Sequence, residues 1–315
     1  MSSRSKEDKL ALLKWELAMA KAGHSRALQL LETVQNENAR LRSLQFDPVT
    51  GLLVRQLFDR DAAHMLESRR GAGLLLVIDM DYLCLWNDKF GHEVGDSVLR
   101  HLATSLKQHG RHQQLRWYRT GGDELAGLLI GTQQQAEGVL KRARTEFEAL
   151  TIAPDQPLPP SFIWGTCSLQ EVEHAMRELE HACPEKTLAL SRRDALTTRK
   201  QLLLQIADKR AYTAKIYRRM QMLAHMLQTD QDAFEHLGRW LFKGLGAIDR
   251  QAIVTLADMQ GDERSAAAKT MIREMYINKL RTLKAQSRHS PGVSAWHVAV
   301  KQIVVEASLQ NLQNF

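Results

Sequence analysis

The chain has 315 residues, 44% of them hydrophobic, with 43 Lys and Arg against 36 Asp and Glu and a net charge of +7. That length exceeds a single minimal module, the hydrophobic share excludes a disordered chain, and the basic excess suggests an anionic partner without naming it. Cys84, Cys167 and Cys183 are odd in number and lack CxxC spacing, which excludes a disulfide framework and a zinc site and suits a reducing, cytoplasmic setting, while no apolar run approaches the roughly 20 residues that span a bilayer, so no membrane anchor is expected.

Residues 6–44 contain no Pro and only Gly23, and are rich in Ala, Leu, Glu, Lys and Arg, which predicts one long helix. Leu13, Ala20, Ala27, Val34 and Leu41 alternate with Leu10, Leu17, Leu31, His24 and Asn38 at three-four spacing, so the helix (domain 1–45) is expected to form a parallel coiled-coil dimer, Asn38 fixing its register. The alternative is an amphipathic helix packed on its own domain. After Phe46 the pattern becomes alternating helices and strands. A helix over 55–69 leads into an apolar strand, Leu74 to Ile78, expected to stop at Asp79. Helices over 82–89 and 96–108 follow, then a hairpin of 115–119 and 125–130 joined across Thr120-Gly121-Gly122-Asp123, a helix over 133–149, a strand over 161–167 and a helix over 198–220. This α/β domain is expected to cover 46–220, and 221–315 to form a separate helical segment broken near 244–246, 261–262 and 290–292.

Charge is uneven along the chain. From Glu185 to Arg219 ten Lys and Arg stand against Glu185, Asp194 and Asp208, and Lys269 to Arg288 holds six basic residues against Glu274. Solvated helix faces account for most of these; one or two of the first group suit a phosphate-binding edge, the second group suits nucleic acid or a membrane surface, and 221–315 as a whole suits a protein or nucleic-acid partner.

Two glycines and two acids at a hairpin tip are more than a turn needs, since one Asp satisfies the turn backbone. A hairpin paired with the strand ending at Asp79 would set Asp123 and Glu124 beside it, at the carboxyl end where α/β sheets place ligands. Carboxylates gathered without a cation repel one another and raise a pKa, so a divalent metal, and with it a nucleoside triphosphate, is expected.

Asp47-Pro48-Val49-Thr50-Gly51-Leu52, Asp79-Met80-Asp81, Asn87-Asp88-Lys89-Phe90-Gly91-His92 with Gly95-Asp96, Arg119-Thr120-Gly121-Gly122-Asp123-Glu124-Leu125, and Ala207-Asp208 with Tyr212, Ala214, Lys215 and Arg219 occur in this order. Together they resemble the GGDEF diguanylate cyclase family over about residues 46–220. The resemblance implies an α/β, adenylyl-cyclase-like palm fold, an N-terminal coiled-coil helix and a C-terminal helical segment around it, and an enzyme that joins two GTP into cyclic di-GMP across a homodimer. It implies Mg2+ or Mn2+ held by Asp79, Asp123 and the Met80 carbonyl, with Glu124 as metal ligand or as base for the 3′-hydroxyl. Asn87 and Asp96 fall on the family's guanine-reading pair, and Lys215 and Arg219 on its triphosphate-binding pair. Departures from the family pattern are Leu83-Cys84 in place of Phe-Lys, Val54 in place of Asn, and Leu125 in place of Phe. The family's product-inhibition motif falls on His112 and Leu115, so no feedback inhibition is expected there. These departures leave open a weakly catalytic module that binds GTP or cyclic di-GMP and acts through partners.

Overall fold

A computed structural model describes residues 4–68, 73–111, 114–156, 158–242, 245, 248–289, 295–310 and 312. The chain divides into two compact units, 1–46 and 47–315. The first is carried by α1 (Arg4–Ser43), a single 40-residue helix. Its seam residues Leu13, Leu17, Leu31, Val34 and Leu41 are each at least 50% exposed, and so are Trp15, Met19, Leu28 and Leu30, which lie off the expected seam. The Leu10 side chain falls outside the described residues.

The second unit runs β1 (Leu53–Val54), α2 (Arg55–Glu67), β2 (Gly73–Asp81), α3 (Leu83–Phe90), α4 (His92–Gly110), β3 (Gln114–Arg119), β4 (Glu124–Ile130), α5 (Gln133–Glu148), β5 (Ser161–Ser168), α6 (Leu169–Ala182), α7 (Pro184–Leu188), α8 (Arg192–Thr229), α9 (Gln231–Phe242), α10 (Arg250–Ala257), α11 (Gly261–His289) and α12 (Ala295–Gln310). The sheet order is β1-β3-β4-β2-β5, with β1 parallel to β3 and the other pairs antiparallel. Buried on both faces, β2 reads as an apolar run. Leu74, Leu76, Ile78 and Met80 enter a core with α3, α4 and α5, and Leu75 enters a second core with α2, α6 and α8.

Strand β2 extends two residues past the expected stop at Asp79. Its register with β5 continues through Met80–Phe162 to Asp81–Ser161, so a neighbouring backbone is paired with the acidic residues and the strand has no reason to end. The chain then turns at Tyr82, whose φ of 63° is left-handed and therefore strained for a bulky side chain. Helix α4 starts at His92 rather than 96, directly after Gly91 at φ 87°. Helix α6, not expected from hydrophobic pattern, is opened by a capping box in which Ser168 and Glu171 satisfy each other's backbone N–H.

Helix α8 departs most from expectation. It runs 38 residues without a break at 220, and the C-terminal helices pack along it. Phe234, Leu241, Ile253, Leu256, Ile272 and Tyr276 belong to the same buried cluster as Leu74 and Val98. At about 1.5–3 kcal/mol for each large side chain buried, these contacts bind the extension into the α/β body, and no unit boundary falls at 220. Arg210 fastens α12 from the other side, donating to the Ala307 carbonyl at 3.2 and 3.0 Å, to the Thr166 carbonyl at 2.7 Å and to Glu171 at 2.6 Å. The expected breaks at 244–246 and 290–292 fall largely outside the described residues; the one near 261 is Gly261, at φ 51° and the start of α11.

The first half of α8 crosses β5 at Gly165, where a Cβ would lie 1.9 Å from the Ala207 carbonyl oxygen and 2.5 Å from the Ala211 nitrogen. Only glycine permits that approach. It sets the distance between the sheet and the helix face carrying Asp208 and Lys215. Among the described residues, no helix is long and apolar enough to cross a membrane.

Candidate functional site

Asp79 on β2 and Glu124 on β4 are register partners on adjacent antiparallel strands. Directly opposed residues share a face with Cβ atoms about 5 Å apart, so pairing alone brings strand end and hairpin tip together. Asp123 is tied to the same place, because the Met80 N–H donates to its carbonyl at 3.3 Å. The tip closes on itself through the N–H groups of Thr120 and Gly121, which donate to the Glu124 carbonyl at 2.9 and 3.2 Å.

A clamp holds the tip in place. Arg119 donates to the Gly121 carbonyl at 3.1 Å, to the Gly122 carbonyl at 2.7 Å, and to both Asp47 oxygens at 3.0 and 3.1 Å. Asp47 also accepts from the Thr50 N–H at 2.8 Å and the Thr50 hydroxyl at 2.7 Å. Burial alone would raise its carboxyl, but the Thr50 and Arg119 hydrogen bonds outweigh it and hold Asp47 below the usual carboxylate range. Arg55 adds a bond to the Thr120 carbonyl at 3.2 Å. Sequence reasoning quoted Asp47 and Arg119 as motif members but assigned them no role.

Lys215, from α8, donates to both oxygens of Asp79 at 2.8 and 2.9 Å. Arg219, one turn on, points elsewhere. It is 7% exposed, lies 3.3 Å from Asp81 and sits 5.3 Å over the Tyr82 ring, so of the pair expected to hold a triphosphate together Lys215 is partly exposed and Arg219 is in the core. Asp81 is fully buried, and burial pushes its carboxyl upward despite Arg219, Lys215 and Arg218.

The acids left at the pocket repel one another. Burial, then Asp123, Asp208 and Asp79, push Glu124 above the usual carboxylate range, Arg55 opposing them. Asp208 is raised by burial and by Asp79, with Lys209 and Lys215 opposing. Asp208, quoted only as a motif residue in the sequence, thus belongs to the acidic group; its spacing from Lys215 on one helix face carried the signal. A cavity of about 230 Å³ between α2, the hairpin and α8 is lined by Glu124, Asp208, Arg55 and Thr120. Ligand pockets run to roughly 300–1,000 Å³, so a nucleotide here must extend beyond it along the surface.

On the other side of β2, Asn87 of α3 lies against Gly95 of α4, where a Cβ would sit 1.9 Å from its Oδ1. Gly95 therefore leaves the room that Asn87 occupies; Asp96 is the next residue on α4. Met80 is 1% exposed and contributes backbone rather than side chain to the tip contact.

In kind, these groups suit a hard divalent ion: the donors are carboxylates, and their mutual repulsion is what such an ion relieves. As placed, Asp79 is engaged by Lys215, and among the described residues no three His, Cys, Asp or Glu side chains converge as a metal site. Loading a cation on Asp79 therefore requires Lys215 to move off it.

The paired strands and their acidic Gly-Gly tip are those of a GGDEF-type α/β domain. Residues 44–187 match the family model described as "Diguanylate cyclase, GGDEF domain", so this segment of the chain is a GGDEF domain. The chain is 31% identical over 187 residues to the diguanylate cyclase DgcN of Escherichia coli K12, an alignment covering 58% of this chain and 40% of that protein. It is 40% identical over 79 residues to DgcZ of the same organism, covering 25% and 26%. The chain thus spans well under two thirds of these relatives. The coiled coil and GGDEF domain of DgcB from Caulobacter crescentus, solved with c-di-GMP, is 21% identical with a TM-score of 0.39, covering 55% of this chain and 95% of that one.

Proposed function

We propose that the chain is a diguanylate cyclase, condensing two GTP into cyclic di-GMP with release of two pyrophosphates, in the cytoplasm and across a homodimer. The observation that carries this reading is the register of Asp79 with Glu124, with Asp123 bonded to the neighbouring Met80. Asn87 and Asp96 read guanine: amide and carboxylate oxygens accept from its N1–H and amino group, while the amide N–H₂ donates to its carbonyl. Lys215 leaves Asp79 for the phosphates when substrate arrives. Glu124, poised above the ordinary range, takes the proton of the 3′-hydroxyl. The freed oxygen bonds to the α-phosphorus of the opposing GTP, the bond to the bridging oxygen breaks, and pyrophosphate departs; the reciprocal attack closes the ring. Asp79, Asp123, Glu124 and the Met80 carbonyl would hold Mg2+ or Mn2+, which when bound supplies charge neutralisation at the phosphate and leaving group.

Two half-sites must meet, and the exposed apolar stripe of α1 supports a second copy as its occupant. The test is product analysis: the full chain with GTP and Mg2+ is expected to yield cyclic di-GMP by mass, and neither Asp123→Ala nor Glu124→Ala is expected to do so. Product from both variants would overturn the site.

A second reading, a GGDEF module that binds nucleotide but turns it over weakly, is favoured by Arg219 being held on Asp81 and by Cys84 standing where the family has Lys. Tight GTP binding without product would select it. A protein or nucleic-acid partner on 221–315 is a separate part of the proposal, tested by salt-dependent binding of the chain to nucleic acid.

A further inference from the structure

The joint between β2 and α3 is made by one residue whose type does not suit its conformation. Tyr82 has φ 63° and ψ 20°, the left-handed region, and is the N-cap of α3 without a side-chain hydrogen bond to that helix. Glycine or asparagine would satisfy both conditions: glycine takes a left-handed backbone without steric cost, and asparagine tolerates it and caps a helix as well. A tyrosine there is strained, and such strain persists only where the surroundings over-determine it.

The surroundings do so from three sides. Before the joint, β2 is paired with β5 as far as Asp81–Ser161, so the strand carrying Asp79 and Met80 is fixed. After it, α3 starts at once with Leu83, and the Trp86 N–H donates to the Tyr82 carbonyl at 3.2 Å. The third tie is the ring. Tyr82 is 5% exposed and shares one buried cluster with Leu85, Trp86, Met220 and Leu223, and its hydroxyl donates to the Met222 Sδ at 3.5 Å. Met220, Met222 and Leu223 lie on α8, past the segment 44–187 that matches the family. The Arg219 guanidinium over the ring adds attraction, but packing does the locking, so Arg219→Met, whose side chain still covers the ring, leaves the joint in place.

Asn87 stands five residues along α3 from this joint, about 7.5 Å at 1.5 Å per residue, so a rotation of roughly ten degrees at Tyr82 displaces it by about 1 Å. A shift of that size separates a good hydrogen bond from none.

We infer that Tyr82 is a positioning residue for guanine selection: its buried ring locks the left-handed joint, fixes the angle at which α3 leaves β2, and so holds the Asn87 amide at the base. The far half of α8 supplies part of the bed for that ring, and thereby contributes to base recognition without touching substrate. The inference rests on the reading of Asn87 as a guanine-reading residue.

Tyr82→Gly and Tyr82→Asn remove the ring but install residues that accept this backbone, and Tyr82→Phe keeps the ring. Titration calorimetry on the full chain, at a temperature where circular dichroism shows each variant folded, is expected to give GTP binding weakened about tenfold in Tyr82→Gly and Tyr82→Asn, inorganic tripolyphosphate binding within about twofold of the parent, and both near parental in Tyr82→Phe. A residue that only fills the core lowers the melting temperature without moving the ratio of the two affinities, so an unchanged ratio in Tyr82→Gly or Tyr82→Asn overturns the inference. Asn87→Ala separates the inference from its premise. It is expected to lower the same ratio, and Tyr82→Gly is expected to add little in that background. An unchanged ratio in Asn87→Ala removes the guanine reading and the inference with it; a ratio that Asn87→Ala lowers and Tyr82→Gly lowers again by its full amount overturns the positioning role alone.

Discussion

Asp79 and Asp81 stand two residues apart on one strand, each with a basic partner from α8, and their surroundings give them opposite work. The Asp81 side chain has no exposure, and Arg219 beside it has 9%; the Asp79 side chain keeps 28% and Lys215 19%. A carboxylate without access to water is a structural group whose partner cannot leave cheaply. One that keeps some access to water, as Asp79 does, can exchange an ammonium for another cation at modest cost. The comparison teaches that a D-x-D pattern does not name two ligands: the pairing of β2 with β5 out to Asp81 draws the second acid into the core.

The comparison breaks most visibly in stability. Asp81→Ala takes the carboxylate away from the buried Arg219 guanidinium and is expected to cost roughly 3–5 kcal/mol in chemical denaturation, whereas Asp79→Ala is expected to change stability by about 1 kcal/mol or less. Equal losses would mean that burial does not separate them. Next come the two cations. Lys215→Met is expected to weaken GTP binding about tenfold or more and to strengthen Mn2+ binding in the absence of nucleotide, since Asp79 is released. Arg219→Met should lower the melting temperature and leave GTP affinity of the folded protein near parental. A binding loss in Arg219→Met as large as in Lys215→Met would restore the shared phosphate role.

Gly95→Ala sharpens the guanine end in the same way. Its new Cβ displaces Asn87, so GTP affinity should fall several-fold with little change for inorganic tripolyphosphate. The smallest effect concerns Glu124. Its carboxyl is raised on folding, so the folded chain binds that proton more tightly than the unfolded chain, and stability declines as pH rises from the ordinary carboxylate range through the raised value. Glu124→Gln lacks this penalty. It should melt slightly above the parent at neutral pH, and the gap should close below the ordinary carboxylate range.

Much of this was legible from residue order. The hairpin, the Asp79 strand and the long first helix follow from turn chemistry and periodicity, and the acidic juxtaposition follows from placing them side by side. The rest depended on contacts remote in sequence. Nothing near Arg219 says that Asp81 will be buried beneath it, and nothing at residue 220 marks α8 as continuing, because its second half is apolar toward helices that come later. The clamp of Arg119 on Asp47 joins residues 72 apart, and helix α6 needed its Ser168–Glu171 box to be weighed above its surroundings.

The central claim is that strand end and hairpin tip share one cation-binding task under a bound triphosphate. A double-mutant cycle of Asp79→Asn and Glu124→Gln, read as GTP-dependent Mn2+ affinity, tests it most directly. Either substitution alone should remove most of that affinity and the second should add little. Two independent losses that sum in the double variant would contradict the account.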